Sequence, residues 1–259
     1  MNWRLILDGV LPGARNRARD VAILESVAAG ESPPTLRLYG WDPPCLTLGK
    51  HQGLDAVDLE FCLREGIDVA RRPTGGRALL HHLELTYSVV APIGTAPLPT
   101  GLQEAYRLIC SALVRACRAL GIDAELTRGD VNLRLPNPTS TVPCFEAPAE
   151  GEVVVAGRKL VGSAMRAHAG CVLQHGAILL DWDGRLQAGA MGLADDASLR
   201  PHVTTFAAEI GRAVSRAEIE TAAVTALTEV LGVSLAVDGV SSAEGSRESE
   251  LIPDFDVQT

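Results

Sequence analysis

Glu152–Leu180, EVVVAGRKLVGSAMRAHAGCVLQHGAILL, is the stretch on which the fold turns. It holds three apolar runs, Glu152 to Val155, Leu160 to Met165 and Val172 to Leu180, rich in Val, Leu and Ile and separated by Ala156–Gly157 and Ala169–Gly170. Two-residue connections containing Gly suit the positive φ angles of tight hairpins, so the pattern predicts an antiparallel meander. Working outward, Thr35 to Trp41, Leu46 to Gly49 and Leu85 to Ala91 have the β-branched and aromatic content of further strands. Helical stripes lie at Ala14, Ala18, Val21 and Ala22, at Leu102 through Leu120, and at Ile219 through Val230, each recurring every three or four residues as core-facing positions do. Strands and helices interleave irregularly, which predicts an α+β domain with a central mixed or antiparallel sheet flanked by helices, not a regular βαβ array.

The 259 residues are 47% hydrophobic and 4% aromatic, enough for one sizeable core. We expect a catalytic domain over 1–238 and, over 239–259, a polar acidic tail that is poorly ordered. No run reaches the roughly 18 to 20 apolar residues of a membrane span, and the opening MNWRLILDGV is too short and weakly charged for a signal peptide. A soluble, cytoplasmic chain follows as the expectation. The net charge of −9 argues against a nucleic-acid binder held by phosphate contacts. Six cysteines without a CxxC pair favour free thiols over disulfides or structural zinc. His81 and His82 are adjacent, so a strand would point them to opposite faces and prevent shared chelation; no metal site is expected.

Two segments could carry chemistry. In Arg71–His82, RRPTGGRALLHH, the glycine pair Gly75–Gly76 allows close backbone approach to a ligand, although a turn and a solvated pair of arginines fit the same residues. In Leu135–Glu150, LPNPTSTVPCFEAPAE, four prolines and no periodicity predict a loop, and Cys144 lies within it. A thiol of ordinary pKa, about 8.5, is only a few per cent thiolate near neutrality and needs a cationic neighbour to become a nucleophile. Lys159 could supply that charge if the loop folds back over the hairpin; a partly buried, inert loop cysteine is the other reading. GxSxG, HExxH and GxGxxG are absent, and GEVVVAGRK at 151–159 lacks the spacing of a phosphate loop.

Arg71–Val90, RRPTGGRALLHHLELTYSVV, resembles the signature of the lipoate–protein ligase and octanoyltransferase superfamily, which shares its fold with biotin protein ligases. Cys144-Phe145-Glu146-Ala147-Pro148, Gly157-Arg158-Lys159-Leu160-Val161-Gly162-Ser163-Ala164 and Leu173-Gln174-His175-Gly176 are similar to the octanoyltransferase branch found in bacilli, and Asn16-x-Ala18-x-Asp20 fits the first helix of the family. The resemblance implies that Cys144 takes octanoyl from acyl carrier protein as a thioester and that Lys159 adjusts its reactivity. It implies an acyl-binding surface of Arg72, Gly75, Gly76, Arg77, His81 and the Lys159–Ala164 strand, including Gly162 and Ser163. It also implies an acceptor lysine on a lipoyl-domain protein or glycine cleavage H-protein, with no cofactor. Arg77 stands where ligases usually have a third glycine, which disfavours ATP-dependent lipoate ligation. An octanoyl amidotransferase acting between carrier proteins is the other alternative, and a non-catalytic carrier- or lipid-binding protein a further one. Three positions depart from the family: Arg17 where Met is frequent, Met165 where Gln is common, and Gly151 in place of an aromatic.

Overall fold

The computed structural model describes residues 1–127 and 151–257; Cys144 and the Pro-rich stretch from 135 to 150 lie outside the described residues. In chain order the elements are β1 (Asn2–Leu11), α1 (Gly13–Ala28), β2 (Thr35–Trp41), β3 (Cys45–Leu48), α2 (Leu59–Arg64), β4 (Asp68–Arg71), β5 (Leu79–His81), β6 (Glu84–Pro92) and α3 (Leu102–Ala119). They continue with β7 (Glu125–Leu126), β8 (Val153–Val155), β9 (Arg158–His168), β10 (Cys171–Leu179), α4 (Gly184–Ala190), α5 (Phe206–Ile210), α6 (Arg216–Leu231), β11 (Ser234–Val237) and α7 (Ser242–Phe255). An eight-stranded sheet runs β11-β1-β2-β6-β10-β9-β8-β7, and a three-stranded sheet runs β4-β3-β5. The larger sheet is mixed: β1 is parallel to both β11 and β2, and the remaining pairings are antiparallel.

The expected meander is β8, β9 and β10. Its two turns place Ala156 (φ 47°) with Gly157 (φ 77°), and Ala169 (φ 45°) with Gly170 (φ 75°), the paired positive dihedrals of a tight hairpin. Strand alternation then separates the two faces. Leu36, Leu38, Tyr87, Val89 and Val161 point toward α3 and α6 and form the main apolar core with Ile109, Leu113 and Leu227. The opposite face receives α1, where Ile23, Leu24 and Val27 pack on Ile6, Val90 and Leu173. The small sheet has a core of its own, with Leu46, Leu48, Val69 and Leu80 against Leu186 of α4.

Beyond Gly239, where composition predicts a poorly ordered tail, the structure has a capped helix. Ser241 and Glu244 form a reciprocal capping box at the start of α7. Glu244 then pairs with Arg4 at 2.6 Å, and Glu248 pairs with Arg15 at 2.6 Å and Arg19 at 2.7 Å. The charged residues that suggest a solvated tail are its anchors. After the helix, Val257 N–H donates to the Val69 carbonyl at 3.2 Å, which joins the segment to the edge strand β4. Among the described residues no helix is long and apolar enough to cross a membrane, and no group of His, Cys, Asp or Glu is arranged to hold a metal ion.

Candidate active site

The loop between β4 and β5 is shaped by Arg72. This side chain turns inward, donating to the Gly75 carbonyl at 3.1 Å, the Thr47 carbonyl at 3.0 Å and the Arg77 carbonyl at 2.6 Å. Gly76 adopts φ 102°, and a Cβ there would lie 2.5 Å from the Arg72 guanidinium. Its carbonyl in turn occupies the space a Cβ on Gly49 would need, at 1.9 Å. The glycine pair is therefore a tightly folded backbone element whose arginine serves as an internal bracket. Arg71 likewise donates to the carbonyls of Gly49 at 2.9 Å and Gln52 at 2.8 Å, so Arg71 and Arg72 engage backbone and do not form the solvated face that their sequence spacing allows.

The loop meets the large sheet at Thr74, whose hydroxyl lies 2.8 Å from Nε2 of His175 on β10. Across β10 to β9, His175 is paired with Ala164, Gly176 with Ser163 and Ala177 with Gly162. Ala164 is thus the predicted strand residue opposite the histidine that meets the loop, followed by Ser163 and Gly162. Ser163 bonds the Tyr87 hydroxyl at 2.7 Å, and its carbonyl accepts from Tyr106 at 3.2 Å. Gly176 is required by this packing, because a Cβ there would stand 2.4 Å from the Gly162 carbonyl and 2.7 Å from the Tyr87 ring. Lys159 is 1% exposed near the start of β9, with Nζ 2.8 Å from the carboxylate of buried Glu152. A Cβ on Gly162 would lie 3.5 Å from the Lys159 stem and 3.9 Å from the Glu152 carboxylate, so the ion pair passes close to this glycine.

His81 sits deeper than a surface ligand-binding residue. It is buried, bonded to Thr47 at 2.9 Å and Glu84 at 2.7 Å, and stacked on Trp41 with ring centroids 4.0 Å apart. Burial lowers its pKa, against the opposing pull of Glu84. The structure therefore joins the glycine-pair loop to the Gly162–Ala164 part of β9 through Thr74 and His175, with Arg72 and His81 both bonded to Thr47 of the small sheet.

Beneath this region lies a polar network that sequence patterning leaves out. Asp20 of α1 pairs with Arg37 at 2.7 Å and Arg17 at 3.5 Å, and accepts from the Tyr39 hydroxyl at 2.8 Å and Ser88 at 3.1 Å. Burial opposes ionisation of Asp20, but Arg37, His175 and Arg17 outweigh it and hold the carboxyl far below the ordinary carboxylate range. Arg17 also contacts Tyr39 and Nδ1 of His175. Burial, reinforced by Arg17, pushes His175 down to about 4, so its imidazole is neutral at physiological pH. His175 belongs to the quoted Leu173–Gly176 motif and Thr74 to the glycine-pair segment; both signals were present without a role attached.

The five described cysteines are all buried. Burial pushes Cys110 and Cys117 up to about 12, Cys62 up to about 11, Cys45 higher still, and Cys171 upward. None of these thiols is poised to ionise near neutrality. Cys144 lies outside the described residues, so its distance from Lys159 is not part of this geometry.

The sequence profile of the lipoyl protein ligase A/B catalytic domain matches residues 12–242. The chain is 39% identical to octanoyltransferase LipM of Kyrpidia tusciae, over 98% of this chain and 96% of that protein. It is 40% identical to octanoyltransferase LipM of Symbiobacterium thermophilum, over 97% and 94% of the respective chains. Its fold superposes on a lipoate-protein ligase A bound with ATP with a TM-score of 0.80 at 27% identity, covering 98% of this chain and 95% of that one. A bipartite lipoate protein ligase of Thermoplasma acidophilum gives 0.78 at 27% identity, covering 98% and 92%. The chain belongs to the lipoyl protein ligase A/B catalytic domain family.

Proposed function

We propose that this protein is an octanoyltransferase of lipoate biosynthesis, taking octanoyl from acyl carrier protein and passing it to a lysine of a lipoyl-domain protein or glycine cleavage H-protein in the cytoplasm. The observation that carries the reading is the near full-length similarity to two octanoyltransferases LipM, with 39% and 40% identity. The burial and raised pKa of the five described cysteines favours Cys144 as the nucleophile. In the first step the Cys144 thiolate attacks the carrier thioester, a new carbon–sulfur bond forms, and the carrier thiolate leaves. In the second the neutral acceptor amine attacks the Cys144 thioester, an amide forms, the thiolate of Cys144 leaves, and the amine gives up a proton. One thioester replaces another before the downhill formation of the amide, so the route needs no nucleotide.

Lys159 brings a positive charge onto β9, held by Glu152, and its role is to favour the thiolate. Gly162, Ser163 and Ala164 form the acyl-binding strand together with the Gly75–Gly76 loop, while Arg72 and His81 hold the loop and the small sheet in place, and the Arg77 carbonyl, bonded by Arg72, closes the loop. Intact mass measured after incubation with octanoyl acyl carrier protein, without ATP, tests the reading. One octanoyl adduct removed by hydroxylamine is expected in the wild type and in Cys171→Ala, and none in Cys144→Ala. Strict ATP dependence with release of AMP would replace this reading with lipoate ligation, and an adduct surviving Cys144→Ala would move the nucleophile elsewhere.

A further inference from the structure

We propose that Thr74 is a catalytic hydrogen-bond donor to the acyl oxygen, and that Arg17 sets its direction through His175. The proposal rests on the acyl-transfer reading above. It begins with the chemistry of a guanidinium, which has five N–H donors, no acceptor, and a permanent charge. Arg17 NH1 contacts Nδ1 of His175, so Nδ1 must be the accepting nitrogen. A neutral imidazole carries a single ring proton, which then resides on Nε2. Nε2 lies 2.8 Å from Thr74 Oγ1, so His175 donates and the hydroxyl accepts.

The opposite tautomer is disfavoured by its surroundings. An Nδ1 proton would point toward the guanidinium. Asp20 Oδ2, the other charged group near Nδ1, stands at 3.5 Å, the outer limit of a hydrogen bond and much farther than the Arg17 guanidinium, and already accepts from Tyr39 at 2.8 Å.

A hydroxyl that has accepted still has its own proton to donate. Thr74 is 2% exposed, and among the described residues its O–H has no acceptor. A buried donor left without a partner lowers stability, so an acceptor from outside the described fold is the economical explanation. Thr74 stands at His175, whose β9 partner is Ala164, two residues from Gly162; this is the strand assigned to the acyl group. Both steps of the proposed transfer build negative charge on the acyl oxygen, and an oriented O–H in a dry site stabilises that charge more than the ground-state carbonyl. Arg17 and His175 never touch the substrate: they are positioning residues. They fix which atom donates, and Arg17 occupies a position where the sequence departs from its resembled family.

The first test needs no variant. Long-range proton–nitrogen NMR of protein labelled in its histidine rings should show His175 protonated on Nε2 and bare on Nδ1. A protonated Nδ1 overturns the relay. The second test measures octanoyl adduct formation. Thr74→Val should lower kcat by about 10²-fold, the loss typical of one oxyanion donor, with KM for the octanoyl carrier little changed. Thr74→Ser, which keeps the hydroxyl, should restore most of the rate. Arg17→Met should mix the His175 tautomers and lower kcat while leaving the adduct on the same cysteine. A wild-type rate in Thr74→Val overturns the role of Thr74. Failure of the wild type to form any adduct would instead remove the acyl-transfer reading itself, and the ring-nitrogen measurement would still decide the Arg17–His175 arrangement.

Discussion

Along β2 and β6 the same strands supply two unlike faces. Toward α3 and α6 they present Leu36, Leu38, Tyr87 and Val89, joined to Ile109 and Leu113 in an apolar core. Toward α1 they present Arg37, Tyr39 and Ser88, joined to Asp20 through direct hydrogen bonds. The apolar face gains its stability from area removed from water, a non-directional effect that tolerates rearrangement. The polar face brings two guanidiniums and a carboxylate out of water, which rarely adds net stability but punishes the loss of any one partner. Its return is positional: the side chains that Asp20 organises end at His175 and Thr74, next to the candidate acyl strand.

The contrast is sharpest at Asp20. Asp20→Ala leaves Arg37 and Arg17 buried without their shared counter-charge, and urea unfolding should show a loss of about 3–5 kcal/mol. A loss under about 1 kcal/mol would show that water or a local rearrangement readily replaces the carboxylate. On the other face, Leu113→Ala should cost about 3 kcal/mol by removing core contacts and leaving a cavity, while acyl transfer per folded molecule stays at the wild-type level. Equal impairment of transfer in both variants would erase the division between a stabilising face and a positioning face.

The third comparison uses pH. His175 is depressed to about 4, and His81 is depressed as well, whereas an unfolded imidazole titrates near 6.5. Between these values the unfolded chain binds more protons, so stability is complete above about 6.5 and falls as the pH drops, by about 1.4 kcal/mol per unit for each fully engaged histidine. Asp20 and Asp8 are depressed in the folded state; their contribution is intact above the unfolded carboxylate value of about 3.9 and is lost below it. A decline in unfolding free energy between pH 7 and 5 therefore reports the imidazoles alone among these groups. A flat profile there would mean that both rings charge without leaving the folded state.

Much of the scaffold was legible because strands and helices with one buried apolar face repeat their hydrophobic residues at fixed intervals. Thr35 to Trp41 was read to the residue, and the Ala156–Gly157 and Ala169–Gly170 turns follow from the chemistry of tight hairpins. Short elements such as β4 and β11 offer too few residues for a period to show. α7 was hidden by its own anchors, since Glu244 and Glu248 look solvated until Arg4, Arg15 and Arg19 arrive from far away in the chain. The site divides in the same manner. The glycine pair and the Lys159–Ala164 strand carry local motifs, but Arg17 registered only as an unusual residue, because a guanidinium against a ring nitrogen on a distant strand leaves no spacing to recognise. The bracket role of Arg72 is likewise tertiary, set by carbonyls of Thr47, Gly75 and Arg77.

The position of β1 governs the order in which this chain can complete itself during synthesis. β1 lies between β2 and β11, with Asn2 opposite Ser234. The nascent chain can pair one side of β1 early, but the other side stays open until residues 234–237 leave the ribosome. An unpaired strand edge is a template for misassociation, and pairings this distant in sequence slow folding. The growing polypeptide therefore passes through a long interval in which its first strand is half-zipped, a stage at which chaperone capture and a pause-free stretch of translation would protect its yield.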